Sequence, residues 1–239
     1  MNIEQILSDY ERDGVVLVPQ FLAAAELNKI RREVENYARD IAPQLEASEV
    51  TFEADGKTAR NLWRMEKHSP FFAETAAKSE TLALVRRLVH GEPINLGVET
   101  FNKPARIGSG VPAHQDNAYF CQSPPDVLTI WIAMDPVTEA NGPVFYERGS
   151  HKIGLLPHKA SGVKGNSIGL AEKFPFTNPF VGLLEPGDAL IHHCQTIHYS
   201  EPNRTDFPRC GFLIVYRGAH TQTDPMMKAA YEKARALVV

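Results

Sequence analysis

Along the first ninety residues, apolar positions recur at helical spacing. Leu27, Ile30, Val34 and Tyr37 lie three or four apart, which predicts an amphipathic helix over 23–41. Residues 3–12 read as a shorter helix stopped by Gly14, and 81–89 as another ended by Gly91 and Pro93. Between the first two lies Val15-Val16-Leu17-Val18, a β-branched run closed by Pro19 and read as a strand. Residues 43–60 show no clear period and read as a mobile loop. From Ile94 onward the pattern changes. Short β-rich runs at 94–101, 113–119, 127–134, 143–147, 181–184, 188–193, 196–199 and 209–217 alternate with turn residues. Glu139-Ala140-Asn141-Gly142-Pro143 reads as a hairpin-type connection, and Glu185-Pro186-Gly187-Asp188 suits a type II turn. Residues 152–178 carry few strand signals and read as a long loop over one face, as lids often are. A C-terminal helix is expected over 226–237. Helices first and many short strands after, without a break in pattern, predict a mainly β fold with α additions. The expected architecture is a double-stranded β-helix, or jelly-roll, core buttressed by N-terminal helices. The whole of 1–239 is taken as one domain: helical support over about 1–92, core over about 94–220, and terminal helix over about 224–238.

Composition narrows the partners. A chain of 239 residues buries a sizeable core without disulfide staples. With 43% hydrophobic and 23% charged residues it is ordinary globular material. The net charge is −4 and no basic stripe exists, so a nucleic-acid partner is not expected. No apolar run approaches the roughly 18 residues of a membrane span. The first ten residues are polar and lack the apolar centre of a signal peptide. Cys121, Cys194 and Cys210 form no framework, which reads as a reduced, cytoplasmic, soluble protein.

The chemistry concentrates in two short segments. His114 and Asp116 stand at i and i+2, so on a strand they point to one face, about 6–7 Å apart at the backbone. His198, beside late strands, is placed to supply a third ligand. Two imidazoles and one carboxylate leave half an octahedron open, the arrangement of non-haem iron oxygenases. Closed zinc sites use four ligands, usually with sulfur, and these cysteines are too scattered for that. His-x-Asp alone arises often by chance, and a water-satisfied loop histidine is the plain alternative. His192 and His193 are adjacent, so at most one faces the site, in a supporting role. His68, His90, His151, His158 and His220 read as surface or loop residues. Arg209 strengthens the iron reading. A 2-oxo acid that chelates iron leaves a far carboxylate needing a buried, forked, permanently charged partner, which arginine supplies. A surface arginine capping a strand is the alternative, and its apolar flanks argue against it. Ser200 and Asn102 are placed to add hydrogen bonds.

The ordered set Phe101-Asn102-Lys103-Pro104, His114-Gln115-Asp116, Trp131-Ile132-Ala133-Met134-Asp135, Asn141-Gly142-Pro143, Gly149-Ser150-His151-Lys152, His198-Tyr199-Ser200-Glu201-Pro202-Asn203 and Arg209 resembles the phytanoyl-CoA dioxygenase family. That family of iron(II)- and 2-oxoglutarate-dependent oxygenases includes ectoine hydroxylase, and the resemblance spans about residues 10–220. It implies a jelly-roll enzyme using Fe(II), 2-oxoglutarate and O2. His114, Asp116 and His198 would be the iron ligands. Arg209 would hold the distal carboxylate of 2-oxoglutarate with Ser200 assisting, Asn102 would contact the co-substrate near the metal, and Trp131 would line its pocket. Two features qualify the match. The residue after the distal histidine, commonly Gly, is Tyr199 here, which is expected to narrow the pocket. Family halogenases lack the carboxylate ligand, whereas Asp116 is present, so the resemblance implies hydroxylation or a related oxidation.

The expected reaction is therefore hydroxylation of an aliphatic carbon with release of succinate and CO2. Two competing readings are a cupin-type jelly-roll enzyme that needs no 2-oxo acid, and a non-catalytic binding module. Neither requires Arg209. Substrate contacts are expected from loops around the metal: Asn117, Tyr119 and Phe120 after the motif, Leu213 on the strand after Arg209, and Arg64 or Arg217 as anchors for an anion. Tyr119 and Phe120 are equally readable as core. A small polar or anionic metabolite is the preferred partner.

Overall fold

The computed structural model describes residues 2–53, 55–163 and 166–236. Six α-helices run α1 (Ile3–Asp13), α2 (Ala24–Asp40), α3 (Pro70–Ala76), α4 (Ser79–Leu88), α5 (Asn117–Phe120) and α6 (Pro225–Arg235). Strands come early and late: β1 (Val15–Val18), β2 (Val50–Phe52), β3 (Ala59–Leu62), β4 (Pro93–Lys103), β5 (Val111–His114), β6 (Gln122–Ser123), β7 (Val127–Ala133) and β8 (Val144–Glu147). They continue with β9 (His158–Val163), β10 (Asn166–Leu170), β11 (Pro179–Val181), β12 (Ala189–His193), β13 (His198–Ser200), β14 (Arg209–Gly218) and β15 (Gln222–Thr223). A seven-stranded sheet in the order β1-β12-β7-β14-β4-β3-β2 faces a four-stranded sheet in the order β11-β8-β13-β5. Every pairing between named strands is antiparallel, and the two sheets stay open. This is the expected strand-rich jelly roll with helical additions.

Strand period sorts the large sheet into two faces. Leu128, Ile130 and Ile132 of β7, Ile191 of β12 and Phe212, Ile214 and Tyr216 of β14 pack with Leu27, Ile30, Phe72, Leu84 and Val85 of the helices. The alternate positions look into the space between the sheets. There Trp131 and Leu190 pack with Val15 and Tyr146, and Leu213 lies against them. The helices thus close one face of the large sheet and leave the other to the site.

The structure departs from expectation in four places. Residues 43–60 hold β2 and the first half of β3, which extend the large sheet at one edge. Strands of three or four residues are too short for period two to show. The run 113–119 is a strand only to His114. Asn117 then exchanges hydrogen bonds with the Gln122 backbone (3.0 Å each way), and the chain turns into α5. The stretch 152–178 is no open loop, for it contains the β9–β10 hairpin. Residues 164–165 lie outside the described residues, as does Leu237 of the expected terminal helix. Helix α3 went unforeseen because seven residues carry too little periodicity. Among the described residues no helix is long and apolar enough to cross a membrane.

Candidate active site

His114 ends β5 and His198 opens β13, and the two are direct partners across the antiparallel pair. Their ring centroids lie 4.2 Å apart. Asp116 follows two residues after His114, and its Oδ1 lies 3.4 Å from His114 Nε2 and 3.5 Å from His198 Nε2. One ligand atom from each of the three residues falls within 4.8 Å of the others, a cluster that could hold one metal ion. The imidazoles are oriented by backbone. His114 Nδ1 donates to the Pro112 carbonyl at 2.8 Å, and His198 Nδ1 to the Thr196 carbonyl at 2.9 Å. Because a carbonyl only accepts, Nδ1 carries the proton in each ring, and the Nε2 lone pairs are left for a cation. Burial, then the nearby His114, depresses His198 to a pKa of about 3, so it stays neutral and able to ligate.

The carboxylate is held as tightly. Asp116 Oδ2 accepts from His192 Nε2 at 3.0 Å and from Thr129 Oγ1 at 3.1 Å, which leaves Oδ1 facing the imidazoles. His192 Nδ1 in turn lies 3.3 Å from the Tyr146 hydroxyl, so a chain runs Tyr146–His192–Asp116. Burial alone would raise the Asp116 carboxyl. The imidazoles of His198 and His114 and the hydrogen bond from His192 outweigh that and hold it well below the usual range. His193 faces the other way, against Tyr10 and His151. Of the adjacent pair only His192 reaches the site, as strand alternation requires.

At the far end of the same space stands Arg209, 1% exposed. Its guanidinium lies 4.8 Å from the Trp131 ring centre and donates to the Gly142 carbonyl at 2.5 Å. Its buried Nε has no hydrogen-bond partner. Burial pulls the guanidinium down to about 10, still charged at neutral pH. A buried cation with an unpartnered donor could receive a carboxylate.

A cavity of about 860 Å³ joins the two ends. Its walls include His114, Asp116 and His198, and also Arg209, Trp131, Ser200, Tyr119, Phe120, Leu213 and Arg64. Three residues expected at the site do not line it. Asn102 points to the β3 side and donates to the Ala59 carbonyl at 3.1 Å. Asn117 is spent on the Gln122 backbone. Arg217 donates to the Thr221 carbonyl at 2.7 Å. Arg64 borders the cavity but is ion-paired to Glu49 at 3.3 Å. Tyr199 borders it too, yet its ring stacks on Phe145 (4.8 Å, 11°) and against Phe176, so little of the space is lost to it. Sequence reasoning missed Thr129, Tyr146 and Glu99. Thr129 and Glu99 stand two residues before Trp131 and Phe101 on their own strands, and Tyr146 is the cross-strand partner of His198.

Comparison with known proteins places this geometry. The family model for phytanoyl-CoA dioxygenase matches residues 10–211. A probable alpha-ketoglutarate-dependent hypophosphite dioxygenase of Stutzerimonas stutzeri is 28% identical over 221 residues, covering 88% of this chain and 77% of that protein. Among solved structures, EctD from S. alaskensis with 2-oxoglutarate and 5-hydroxyectoine superposes with a TM-score of 0.79 at 19% identity, covering 94% of this chain and 78% of that one. The non-heme alpha ketoglutarate dependent epimerase SnoN from nogalamycin biosynthesis gives 0.76 at 23% identity, covering 97% and 89%.

Proposed function

This chain belongs to the phytanoyl-CoA dioxygenase family, a family of iron(II)- and 2-oxoglutarate-dependent dioxygenases, and from that premise we propose that it hydroxylates an aliphatic carbon of a small molecule. The observation that carries the reading is the pairing of two ends in one cavity. A three-ligand cluster with an open side faces the space that ends in a buried guanidinium whose Nε is unpartnered.

His114, Asp116 and His198 would hold the iron, and Arg209 the distal carboxylate of 2-oxoglutarate. When bound, iron(II), 2-oxoglutarate and O2 supply the oxidising power to convert C–H into C–OH, with succinate and CO2 released. The protein's own part is positional. Backbone carbonyls fix which nitrogen each histidine offers. Thr129 and His192 fix which oxygen Asp116 offers. Trp131 floors the guanidinium so that it can move little. Ser200, buried on the same face of β13 as His198, is placed to donate to the same carboxylate. The intact carboxylate ligand favours hydroxylation over halogenation. A cupin-type enzyme or a binding module has no use for a buried Arg209 at the far end.

The test is spectroscopic first. Anaerobic addition of iron(II) and 2-oxoglutarate should give the weak visible charge-transfer band of a bidentate chelate. With O2 and a substrate, succinate should accumulate and the product should gain one oxygen atom. Arg209→Ala removes charged hydrogen bonds of about 1.5–3 kcal/mol. The 2-oxoglutarate concentration at half-maximal band should then rise about 10- to 150-fold. An unchanged titration in that variant would refute the clamp.

A further inference from the structure

One ionisable group in the cavity is used by nothing described so far. Glu99 sits on β4 and lines the cavity between Leu96 and Phe101. A Cβ built on Gly97 would lie 3.1 Å from Glu99 Oε1, so the carboxylate folds back along its strand over a residue without a side chain. Gly97 pairs with Val215, Val215 with Thr129 and Thr129 with His192. The Glu99 carboxylate therefore lies over the cross-strand row whose Thr129 and His192 hold Asp116. Two strand spacings, about 10 Å, separate β4 from β7. A molecule of a few bonds' length can reach from one to the other.

The other charges around this cavity are engaged. Arg64 is ion-paired with Glu49, Arg209 faces the far end, and Asp116 is taken by its two hydrogen-bond donors and the imidazoles. Arg235 belongs to the exposed last turn of α6. Among the described residues Glu99 shows no hydrogen bond or ion pair of its side chain. Aromatic walls from Trp63, Phe101, Tyr119 and Phe120 surround the same space, and ring faces attract cations.

We propose that Glu99 anchors a protonated amine of the substrate, so that this enzyme hydroxylates a small aliphatic amine or amino compound at a carbon held over the metal. This rests on the oxygenase reading above and replaces the preference for an anion, because Arg217 is turned away and Arg64 already has a carboxylate partner. The chemistry of the empty carboxylate agrees. Burial, then Asp116 and Glu66, raise Glu99 to about 8 against the pull of Arg64, and a bound ammonium relieves that cost.

The experiment screens primary amines and amino acids, each beside its N-acetyl counterpart, for stimulated succinate formation by the iron-loaded protein. Amines should stimulate and their N-acetyl forms should not. Glu99→Gln should raise KM for a stimulating amine about 10- to 150-fold, the loss of one charge-assisted hydrogen bond, with a smaller change in kcat. Calorimetry on the iron-free protein supplies a readout that needs no turnover: the amine should bind the parent and bind Glu99→Gln too weakly to measure. Gly97→Ala, which crowds the carboxylate, should weaken amine binding in the same direction and guards against a misfolded Gln variant. Hits confined to anions or neutral compounds, or equal KM in parent and Glu99→Gln, would overturn the proposal while leaving the oxygenase reading intact. A parent protein that forms no chelate band with iron(II) and 2-oxoglutarate would instead sink that reading, and this inference with it.

Discussion

Gly211 offers the sharpest test of how the co-substrate end is built. It stands between Arg209 and Leu213 on β14, opposite Ala133 of β7. A Cβ added there would lie 2.2, 2.3 and 2.6 Å from Cε2, Cζ2 and Nε1 of Trp131. Carbon atoms in contact rest at about 3.5–4.0 Å. The indole would have to retreat by more than about 1 Å, and it is 4% exposed and wedged against Tyr146 and Leu190. Overpacking of this kind costs about 1–3 kcal/mol. For a chain of this size each kcal/mol lowers Tm by about 2–4 °C, so Gly211→Ala should melt about 2–12 °C below the parent. A second effect follows from the same displacement. Trp131 is the floor on which the Arg209 guanidinium rests, so, with Arg209 in the proposed role, moving it should tilt the guanidinium and weaken 2-oxoglutarate binding. Thermal melting and titration of the charge-transfer band read the two effects separately. Adding Trp131→Phe should recover much of the lost Tm, because the smaller ring vacates the colliding edge. A Gly211→Ala protein that melts within a degree of the parent and titrates at the parental 2-oxoglutarate concentration would refute this account of the clamp.

Two further outcomes follow from the surroundings of the ligands. Thr129→Val removes one of the two donors to Asp116 Oδ2 and should weaken iron(II) binding about 10- to 100-fold, measured by metal titration, with little change in Tm; unaltered iron affinity would mean the hydroxyl does not orient the carboxylate. His158 and His193 are depressed to about 4, chiefly by burial, so they stay neutral in the native protein while the unfolded chain takes up protons below about 6.5. The unfolded state then binds more protons, so the iron-free protein should lose Tm steadily as pH falls from about 6.5 towards 4. His158→Gln should make that slope shallower, and a Tm that rises on acidification would contradict the assignment.

The chain announced its chemistry more clearly than its scaffold. His114, Asp116, His198 and Arg209 are each ambiguous alone but point to one chemistry as an ordered set, and all four border one cavity. Strands whose buried face is apolar, such as β7, β12 and β14, were legible for the same reason: alternation or a continuous apolar run marks them. Strands β2 and β3 were not, because Arg60 of β3 and Glu53, just after β2, are buried as a polar pair 3.8 Å apart. Polar residues that satisfy one another inside a fold look like loop in a linear reading. Asn102 and Asn117 mislead for the complementary reason. A carboxamide near a motif resembles a ligand contact, yet each is consumed by a nearby backbone group. Glu99 was passed over because a lone glutamate on a strand has no motif, and only its cross-strand row gives it meaning.

That row explains why helices α2, α3 and α4 matter to a site whose cavity they do not line. Arg209, Gly211, Leu213 and Val215 of β14 look one way, and Phe212 and Ile214 look the other, into the helical layer with Ile130 and Ile132 of β7. A slip of one residue along either strand would carry Arg209 or Thr129 into that apolar layer and bring the apolar residues into the cavity. Burying each apolar side chain is worth about 1.5–3 kcal/mol, so returning the two of one slipped strand to a wet cavity forfeits about 3–6 kcal/mol. That is a large share of the whole stability of a typical domain, about 5–15 kcal/mol. The packing of α2, α3 and α4 against the sheet therefore fixes more than stability. It sets, to within one residue, how far the guanidinium of Arg209 and the carboxylate of Glu99 stand from the metal ligands. A destabilising change in the helical layer that leaves the register intact should lower Tm without altering the affinity for 2-oxoglutarate. Leu84→Ala, on a residue 3% exposed in that layer, should cost about 2–5 kcal/mol and still give the parental chelate titration. A shift in that titration would show that the helices reach the site by some route other than register.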